Sequence, residues 1–558
     1  MKKNNKILIF LIIIILLFIH FFCGLNTINK LSPTYDEPLH LTAGYSYLKT
    51  NIYYLNIYDH PPLAEMIGAI PLLFMKPKLL IQHPYWKEYQ QYSFANLFLY
   101  QNNIDASIML NSGRKVILVF SCIFGLFIYL WTKQLTNSYF KGILCLIIYV
   151  FSCLFLSQAT LVTTDLIFSL FYFLSFYAFW KWLNKPNISN TIFVGIMSGL
   201  TLCSKFSSII IFGIYFILLL IYFKKINCST KKIILHSILA ILVCFFVIGI
   251  IYKFNIDLYF NGLYKTFTRL QKGRSNFLFG NYSTTGFWYY FLLVFLIKTP
   301  ISFLVMLSIS LYYILKLYKK YKFFNCLVIP GIIYFFFASI SKVQIGIRHI
   351  LPVFPFLIIL SVLWLQKINY KKLLLVIFLF LWYIYSFIKI HPWHISYFNE
   401  FVGGPQQGYK YLTDSNIDWG QSLKELSEYL KSINCQYPVF LCYFGVGDPT
   451  YYGIKYFGFG FINNLLPQER PGDEIKNISE LKKILLCVSV TNLQATYYAN
   501  KEIFDWLKKI NPDKKIAYSI FVYDLTNKPE QVYKLLYLLK SIGHPQYKTL
   551  QEWIKLKI

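Results

Sequence analysis

The sequence predicts an α-helical polytopic membrane protein with about eleven transmembrane helices, followed by a small α/β domain outside the membrane. Two observations carry this reading. Of 558 residues, 56% are hydrophobic and 20% aromatic, while only 14% are charged. A water-soluble chain of this length needs far more charge to cover its surface. The charge is also unevenly divided. The formal net charge is +30; residues 1–389 hold 35 Lys+Arg against 8 Asp+Glu, and residues 390–558 hold 19 against 16. The basic, apolar part reads as a membrane body (1–389) and the near-neutral part as a separate domain (390–558).

The elements follow in order. "MKKNNK" and the apolar run after it resemble a signal peptide, but the run is too long and no A-x-A-like site follows, so a retained signal anchor is expected. A span needs about 20 apolar residues, fewer where the bilayer thins. Spans are expected near 7–25, 114–131, 141–159, 164–182, 190–204, 207–223, 232–252, 299–316, 323–340, 349–366 and 372–389, with a large outer loop at 26–113. The stretch "TTGFWYYFLLVFLI" reads as a re-entrant or interfacial helix.

With the N-terminus inside, every inner turn carries only basic residues: Lys133 and Lys141; Lys181 and Lys185; Lys224, Lys225, Lys231 and Lys232; Lys316, Lys319, Lys320 and Lys322; Lys367, Lys371 and Lys372. The same topology puts Asp36, Glu37, Asp59, Glu65, Glu88, Asp105, Asp165, Asp257 and the C-terminal domain outside. A bacterial plasma membrane is the expected location. Basic residues set between apolar runs meet anionic lipid, so nucleic acid is not an expected partner.

In the C-terminal domain, 438–446, 482–490 and 516–525 read as strands and 422–433, 501–510 and 531–542 as amphipathic helices. Asp418 and Gln421 stand like a capping box before the first of these helices. The eleven cysteines show no metal-ligand spacing. Only Cys435, Cys442 and Cys487 lie in the soluble part, and no disulfide among them is indicated.

The chemistry is read from charge held next to the membrane, where it is costly and tends to mark function. The outer face gathers the pair Asp36–Glu37, then Asp165 in a tight turn, Lys205, the run Lys265, Arg269, Lys272 and Arg274, and Lys342, Arg348 and His349. A carboxylate can take a proton from an attacking hydroxyl. Cations can hold a phosphate and stabilise the charge that builds as it leaves. Each element has a plainer reading. Asp165 suits a helix cap, Lys205 a snorkelling side chain, Arg348 a headgroup anchor, and the Asp59-His60-Pro61-Pro62 stretch a rigid turn. Glu65 and Glu88 read as solvated charges.

Several segments, taken in order, resemble one family. These are "YDEPLHLTAGYSYLKTNIYYLNIYDHPPLAEMIGAIPLLF", "TTDLIFSLFYFLSFYAFW", "GLTLCSKFSSI", "RHILPVFPFLIIL" and "HPWHISYFNEFVGGPQQGYKYLTDSNIDWGQSLKELSEYL". They are similar to family 39 glycosyltransferases: the protein O-mannosyltransferases, the lipid A aminoarabinose transferases and the bacterial lipid-carrier-dependent glycosyltransferases. The resemblance covers most of residues 30 to 450 and ends near 460.

It implies a GT-C fold and transfer of a sugar from a polyprenyl- or dolichyl-phosphate, with inversion and no nucleotide-sugar donor. It also implies roles. Asp36 matches the general base, Glu37 an acidic neighbour that helps bind the acceptor, and Asp165 the second acidic position. Lys205 and Arg348 match cations that hold the lipid phosphate, with Arg269 and His349 as further candidates. His60 matches the position before Pro-Pro where the aminoarabinose transferases carry a lysine, a departure that argues against that substrate. The sugar-binding repeats of eukaryotic protein mannosyltransferases are missing from the sequence. The expected partners are the lipid-linked sugar, the bilayer, and an acceptor hydroxyl on protein, lipid or glycan.

No cofactor is required by this chemistry. Asp414, Asn416, Asp418, Ser422 and Glu425 fall at calcium-loop positions, but Trp419 replaces the expected glycine, so a divalent cation there stays open beside a plain loop-to-helix junction. Trp393, Tyr397 and Trp419 suit stacking on a sugar or anchoring at the interface. Two other classes share the span count, a lipid or sugar transporter and a non-catalytic envelope-assembly subunit. The large outer domain and the lack of repeated halves weigh against the first.

Overall fold

The computed structural model describes residues 3–366, 369–460, 482–544 and 546–557. The chain opens with α1 (Lys3–Lys30), which runs past the predicted end of the first span. The expected outer loop is largely helical: α2 (Glu37–Thr50), α3 (Leu63–Met75), the single turn α4 (Pro84–Lys87) and α5 (Gln91–Tyr100) precede α6 (Ala106–Thr136). Its mixed polarity disguised this. Residues 37 to 47 of α2 are all buried, polar ones included, because they pack on protein rather than water. Gly44 permits the closest approach in this part, since a Cβ there would overlap the Glu65 carbonyl of α3.

The body continues through α7 (Tyr139–Val150) and α8 (Cys153–Ala159), bent by 63°. Next come α9 (Thr164–Asn184), α10 (Ile188–Leu202), a 3-10 turn at Phe206–Ile209, α11 (Ile210–Tyr222) and α12 (Thr230–Ile251). An amphipathic α13 (Ile256–Lys272) and a hairpin of β1 (Asn276–Leu278) with β2 (Asn281–Ser283) follow. The stretch read as a re-entrant or interfacial helix is α14 (Tyr290–Lys298); it meets α15 (Ile301–Tyr312), which lies in the eighth predicted span, at 115°, with Thr299 and Pro300 at the break. Then come α16 (Ile314–Lys320), α17 (Asn325–Ser339), a 3-10 segment Ile347–Val353 that leads into α18 (Phe354–Val362), and α19 (Tyr370–Ile390).

Each predicted span thus coincides with helix. Among the described residues six helices are long and apolar enough to cross a membrane, or eight if each bent pair is one span. Lys367, expected in an inner turn, lies outside the described residues.

Side-chain exposure separates lipid-facing helices from the centre. Phe10 and Phe18 of α1, Leu242 and Phe246 of α12, and Phe378 and Leu381 of α19 are each about 60% exposed, a pattern that needs lipid rather than water as its cover. By contrast, α9 is apolar on all sides and almost wholly buried, as a central helix should be. Its first turn carries Asp165 into the middle of the body.

The C-terminal domain begins with α20 (Leu423–Ser432) and β3 (Val439–Cys442), then β4 (Tyr456–Gly458), β5 (Leu485–Ser489), the turns α21 (Val490–Leu493) and α22 (Asp505–Lys508), β6 (Lys514–Ile516), β7 (Ile520–Asp524), α23 (Pro529–Ser541) and α24 (Tyr547–Lys557). The sheet order is β4-β3-β5-β7-β6, parallel among β4, β3 and β5 and antiparallel beyond. The strand expected at 516–525 is split, because Ala517 and Tyr518 turn left-handed and fold β6 back on β7. The helix expected at 501–510 is only the turn α22. The capping box is not formed. Ser422 is the N-cap of α20, and Gln421 instead accepts a hydrogen bond from the Trp419 amide at 2.7 Å. All the cysteines are free thiols.

Domain and body are joined by backbone pairing beside the start of α2. The Ser32 amide donates to the Gln421 carbonyl at 3.0 Å, the Tyr35 amide to the Trp419 carbonyl at 2.8 Å, and the Leu423 amide to Ser32 Oγ at 2.9 Å. This short pairing fixes residues 419–423 beside the Asp36 turn.

Candidate active site

Four charged residues from distant parts of the chain meet beside this junction. Asp165, 1% exposed in its side chain, receives Lys205 Nζ on one oxygen at 2.7 Å and Arg348 Nη1 on the other at 2.8 Å. Arg348 also reaches toward Asp36, Nη2 to Oδ2 at 3.7 Å. Its Nε donates to Ser415 Oγ at 3.0 Å, and its guanidinium lies 4.1 Å from the centre of the Trp419 ring. The position of Asp165 in the first turn of α9 favours a negative charge. Lys205 follows the end of α10, and Arg348 sits in the 3-10 segment before α18.

The four differ in what they can offer a ligand. Asp165 is spent on its two cations. Asp36 is 29% exposed in its side chain, and its carboxylate, at the N-cap of α2, makes no capping hydrogen bond. Asp36 is therefore the carboxylate of this cluster with an open face. Lys205 and Arg348 keep 17% and 11% exposure, enough for one edge to meet an anion.

Glu37 stands apart. It is fully buried and accepts five hydrogen bonds: from Arg114 Nε at 2.8 Å and Nη2 at 2.6 Å, from the Thr34 amide and hydroxyl at 2.9 and 3.0 Å, and from the Val162 amide at 2.9 Å. Arg114 spends its other donors on Leu31 and Ser32 carbonyls and on Asn111. The pair joins the end of α1, the start of α2, α6 and the turn before α9, and so fixes the backbone that carries Asp36.

His60 lies in a second buried cluster. His40 Nδ1 meets Glu65 Oε1 at 2.8 Å, Asn56 donates to the same oxygen, and the His60 ring packs edge-on against His40 with 5.1 Å between centroids. Glu65 is 1% exposed, so it is not the solvated charge expected. Burial works against a charged His40, but the Glu65 hydrogen bond and charge raise its pKa. Burial, the charge on His40 and the nearby Arg269 and Lys205 push His60 well below the usual imidazole range. The His60 Nδ1 is buried without a partner among the described residues. Glu88 is exposed, as expected. Arg269 is paired with Asp59 at the surface. His349 follows Arg348, stacks on Phe291 and leaves Nε2 buried without a partner among the described residues.

The Asp414–Glu425 stretch does not close as a calcium loop. Asp414 accepts from Tyr497 and from the Ser415 amide, Asn416 donates to Tyr290 at 3.0 Å, and Asp418 accepts from the Thr491 amide at 2.8 Å. Each side chain is aimed at a different protein partner. Trp419 is 2% exposed beneath Arg348, so it supports the cation rather than facing a sugar.

Several site residues escape the sequence reading. Arg114 marked the edge of a predicted span; the helix starts two turns earlier and buries it, and a lone arginine inside an apolar helix was the available signal. Lys298 is buried at the α14–α15 break, where Nζ donates to the carbonyls of Ile395 and Asn416 and so ties the break to the loop that carries Ser415.

The second oxygen of Asp418, Oδ1, is buried and without a partner among the described residues, and burial pushes the carboxyl up to about 7. An acid raised in the folded state costs no stability below its unfolded value, near 3.9, and costs progressively more as pH climbs to the folded value. Folding stability should therefore fall between about pH 4 and 7 on account of this group and level off above. Asp418→Asn should flatten that slope, read as melting temperature against pH in detergent; an unchanged slope would assign it to other groups.

Residues 102–251 match the family described as "Dolichyl-phosphate-mannose-protein mannosyltransferase". No curated protein matches the sequence. Among solved structures, ArnT from Cupriavidus metallidurans in the apo state aligns over 94% of this chain and 98% of its own, with 10% identity and a TM-score of 0.48. The same protein bound to undecaprenyl phosphate aligns over the same shares with 11% identity and a TM-score of 0.42. The family match agrees with the resemblance read from the sequence motifs: residues 102–251, which carry both Asp165 and Lys205, are similar to the protein mannosyltransferase family.

Proposed function

We propose that the protein moves a sugar from a polyprenyl- or dolichyl-phosphate donor to an acceptor hydroxyl, with inversion and with Asp36 as general base. The observation that carries this is the Asp36–Arg348–Asp165–Lys205 network, in which one carboxylate keeps an open face beside two cations held by another. The acceptor hydroxyl gives its proton to Asp36 as its oxygen bonds to the anomeric carbon. The bond from that carbon to the phosphate oxygen breaks, and its electron pair leaves with the lipid phosphate. Lys205 and Arg348 meet the charge that builds there. Asp165 keeps both cations in place before the donor arrives, so little reorganisation is needed. A single displacement inverts the anomeric centre. Donor and acceptor come from different phases, so holding them together supplies much of the rate.

The test is transfer in proteoliposomes, with radiolabelled polyprenyl-phosphate mannose and related donors and native membrane extract as acceptor. Labelled product from the wild type supports the reading, and the product's mobility identifies the acceptor class. Label that crosses the bilayer without covalent transfer would point to a transporter; neither result would leave an assembly subunit.

Arg348 gives a narrower prediction. Its planar fork serves Asp165, Ser415 and the Trp419 face at once, which an ammonium cannot reproduce. Arg348→Lys should raise the KM for the lipid donor by roughly tenfold, about one charge-assisted contact's worth, with a smaller change for the acceptor. An equal rise for both substrates would remove the phosphate role.

A further inference from the structure

The four helices α9 to α12 enclose a cavity of about 340 Å³, within the range of pockets that hold small ligands, roughly 300–1,000 Å³. Its polar groups face one another: Trp182 Nε1 and Thr191 Oγ1 turn to His236, Ser198 Oγ lies 3.1 Å from the Tyr215 hydroxyl, and Ser237 donates to the Ile233 carbonyl. What remains toward the cavity is hydrocarbon, including Phe179, Val194, Phe212, Leu219 and Ala240. Phe216 and Ile241 on its border are 63% and 45% exposed on the lipid-facing side. The gap exists because α12 packs along α10 while α11 packs on α17. A ligand here must be an apolar chain that arrives through lipid.

We propose that this cavity holds the distal part of the donor's polyprenyl tail, so that the enzyme reads tail length. The inference rests on the proposed function above. The same two helices build both places. α9 starts at Asp165 and its Phe179 and Trp182 wall the cavity; α10 leads to Lys205 and its Thr191, Val194 and Ser198 wall it too. At the helical rise, Ser198 lies roughly 10 Å and Thr191 roughly 20 Å from Lys205 along the axis. A tail whose phosphate sits on Lys205 and Arg348 therefore reaches the cavity by running along α10, whereas a bulk phospholipid has no anchor at that distance.

The experiment uses the full chain in nanodiscs and a polyprenyl phosphate with a diazirine in its terminal isoprene unit. Photolabelling should mark α11 and α12 around Phe216 and Ile241, and unlabelled long-chain polyprenyl phosphate should suppress it while excess phospholipid does not. Labelling elsewhere, or suppression by phospholipid alone, overturns the proposal. In parallel, Leu219→Trp and Ala240→Phe should raise the KM of a long-tail donor roughly tenfold and leave a short-tail donor unchanged. Equal effects on both donors also overturn it; retained transfer from the short-tail donor shows that the variant is folded. Labelling of the cavity in a protein that transfers from no donor would sink the glycosyltransfer reading and leave the tail site standing.

Discussion

Asp36→Asn is expected to lower kcat by roughly 10²- to 10⁴-fold, the usual contribution of a positioned general base, while melting temperature and donor binding stay near wild type. The carboxylate has one long ion contact, 3.7 Å to Arg348, and no capping role, so the isosteric amide costs the fold little. Arg348 keeps its shorter bonds to Asp165 and Ser415, and the phosphate cradle survives. The measurement is single-turnover transfer in proteoliposomes, with donor affinity taken separately by binding. Loss of transfer at unchanged affinity assigns Asp36 to chemistry. Equal transfer by both proteins would remove Asp36 as base. The next carboxylate in reach is Asp165, but its two cations at 2.7 and 2.8 Å make it a poor proton acceptor.

How much of this was legible in the sequence depends on what each residue costs where it sits. Asp165, Lys205 and Arg348 stood out because a charge among apolar spans needs a reason, although nothing in the sequence said that Asp165 would take both cations. Glu65 did not stand out. It follows a Pro-Pro pair in a stretch of mixed polarity, and its partner His40 is 25 residues away. Glu37 looked like half of a reactive pair because adjacent residues read alike; the turn sends Asp36 outward and Glu37 inward to Arg114. The first outer segment read as loop because its polar residues are buried by packing on protein, which hydropathy cannot see. The α14–α15 pair was legible: the aromatic stretch before the eighth span read apart from it, and the chain bends between the two at Thr299-Pro300. Within the C-terminal domain short continuous apolar runs marked β3, β5 and β7, which are buried on both faces, while three-residue strands such as β4 are too short to stand out.

The largest stability effect is expected at Arg114. Arg114→Met should destabilise the protein by roughly 3–5 kcal/mol, the range for breaking a buried pair by removing one partner. Both side chains are fully buried, so Glu37 would keep its charge without its main counter-ion, and the Leu31 and Ser32 carbonyls would lose donors. Glu37→Gln should cost a similar amount by stranding Arg114. The double variant Glu37→Gln with Arg114→Met should cost clearly less than the sum, because no uncompensated charge remains, and the difference measures the coupling. Melting temperature in detergent, with and without donor, reads this directly. The same series decides what Glu37 does. If it serves as the clamp that fixes the Asp36 turn, stability falls and transfer falls with the folded fraction, with the acceptor KM unchanged. If it binds the acceptor, as the family resemblance implies, Glu37→Gln raises the acceptor KM in protein that melts like the wild type. Five hydrogen bonds on a carboxylate with no exposed surface favour the first outcome. An acceptor hydroxyl would have to displace one of those donors to reach it, at the cost of leaving that donor buried and unpaired.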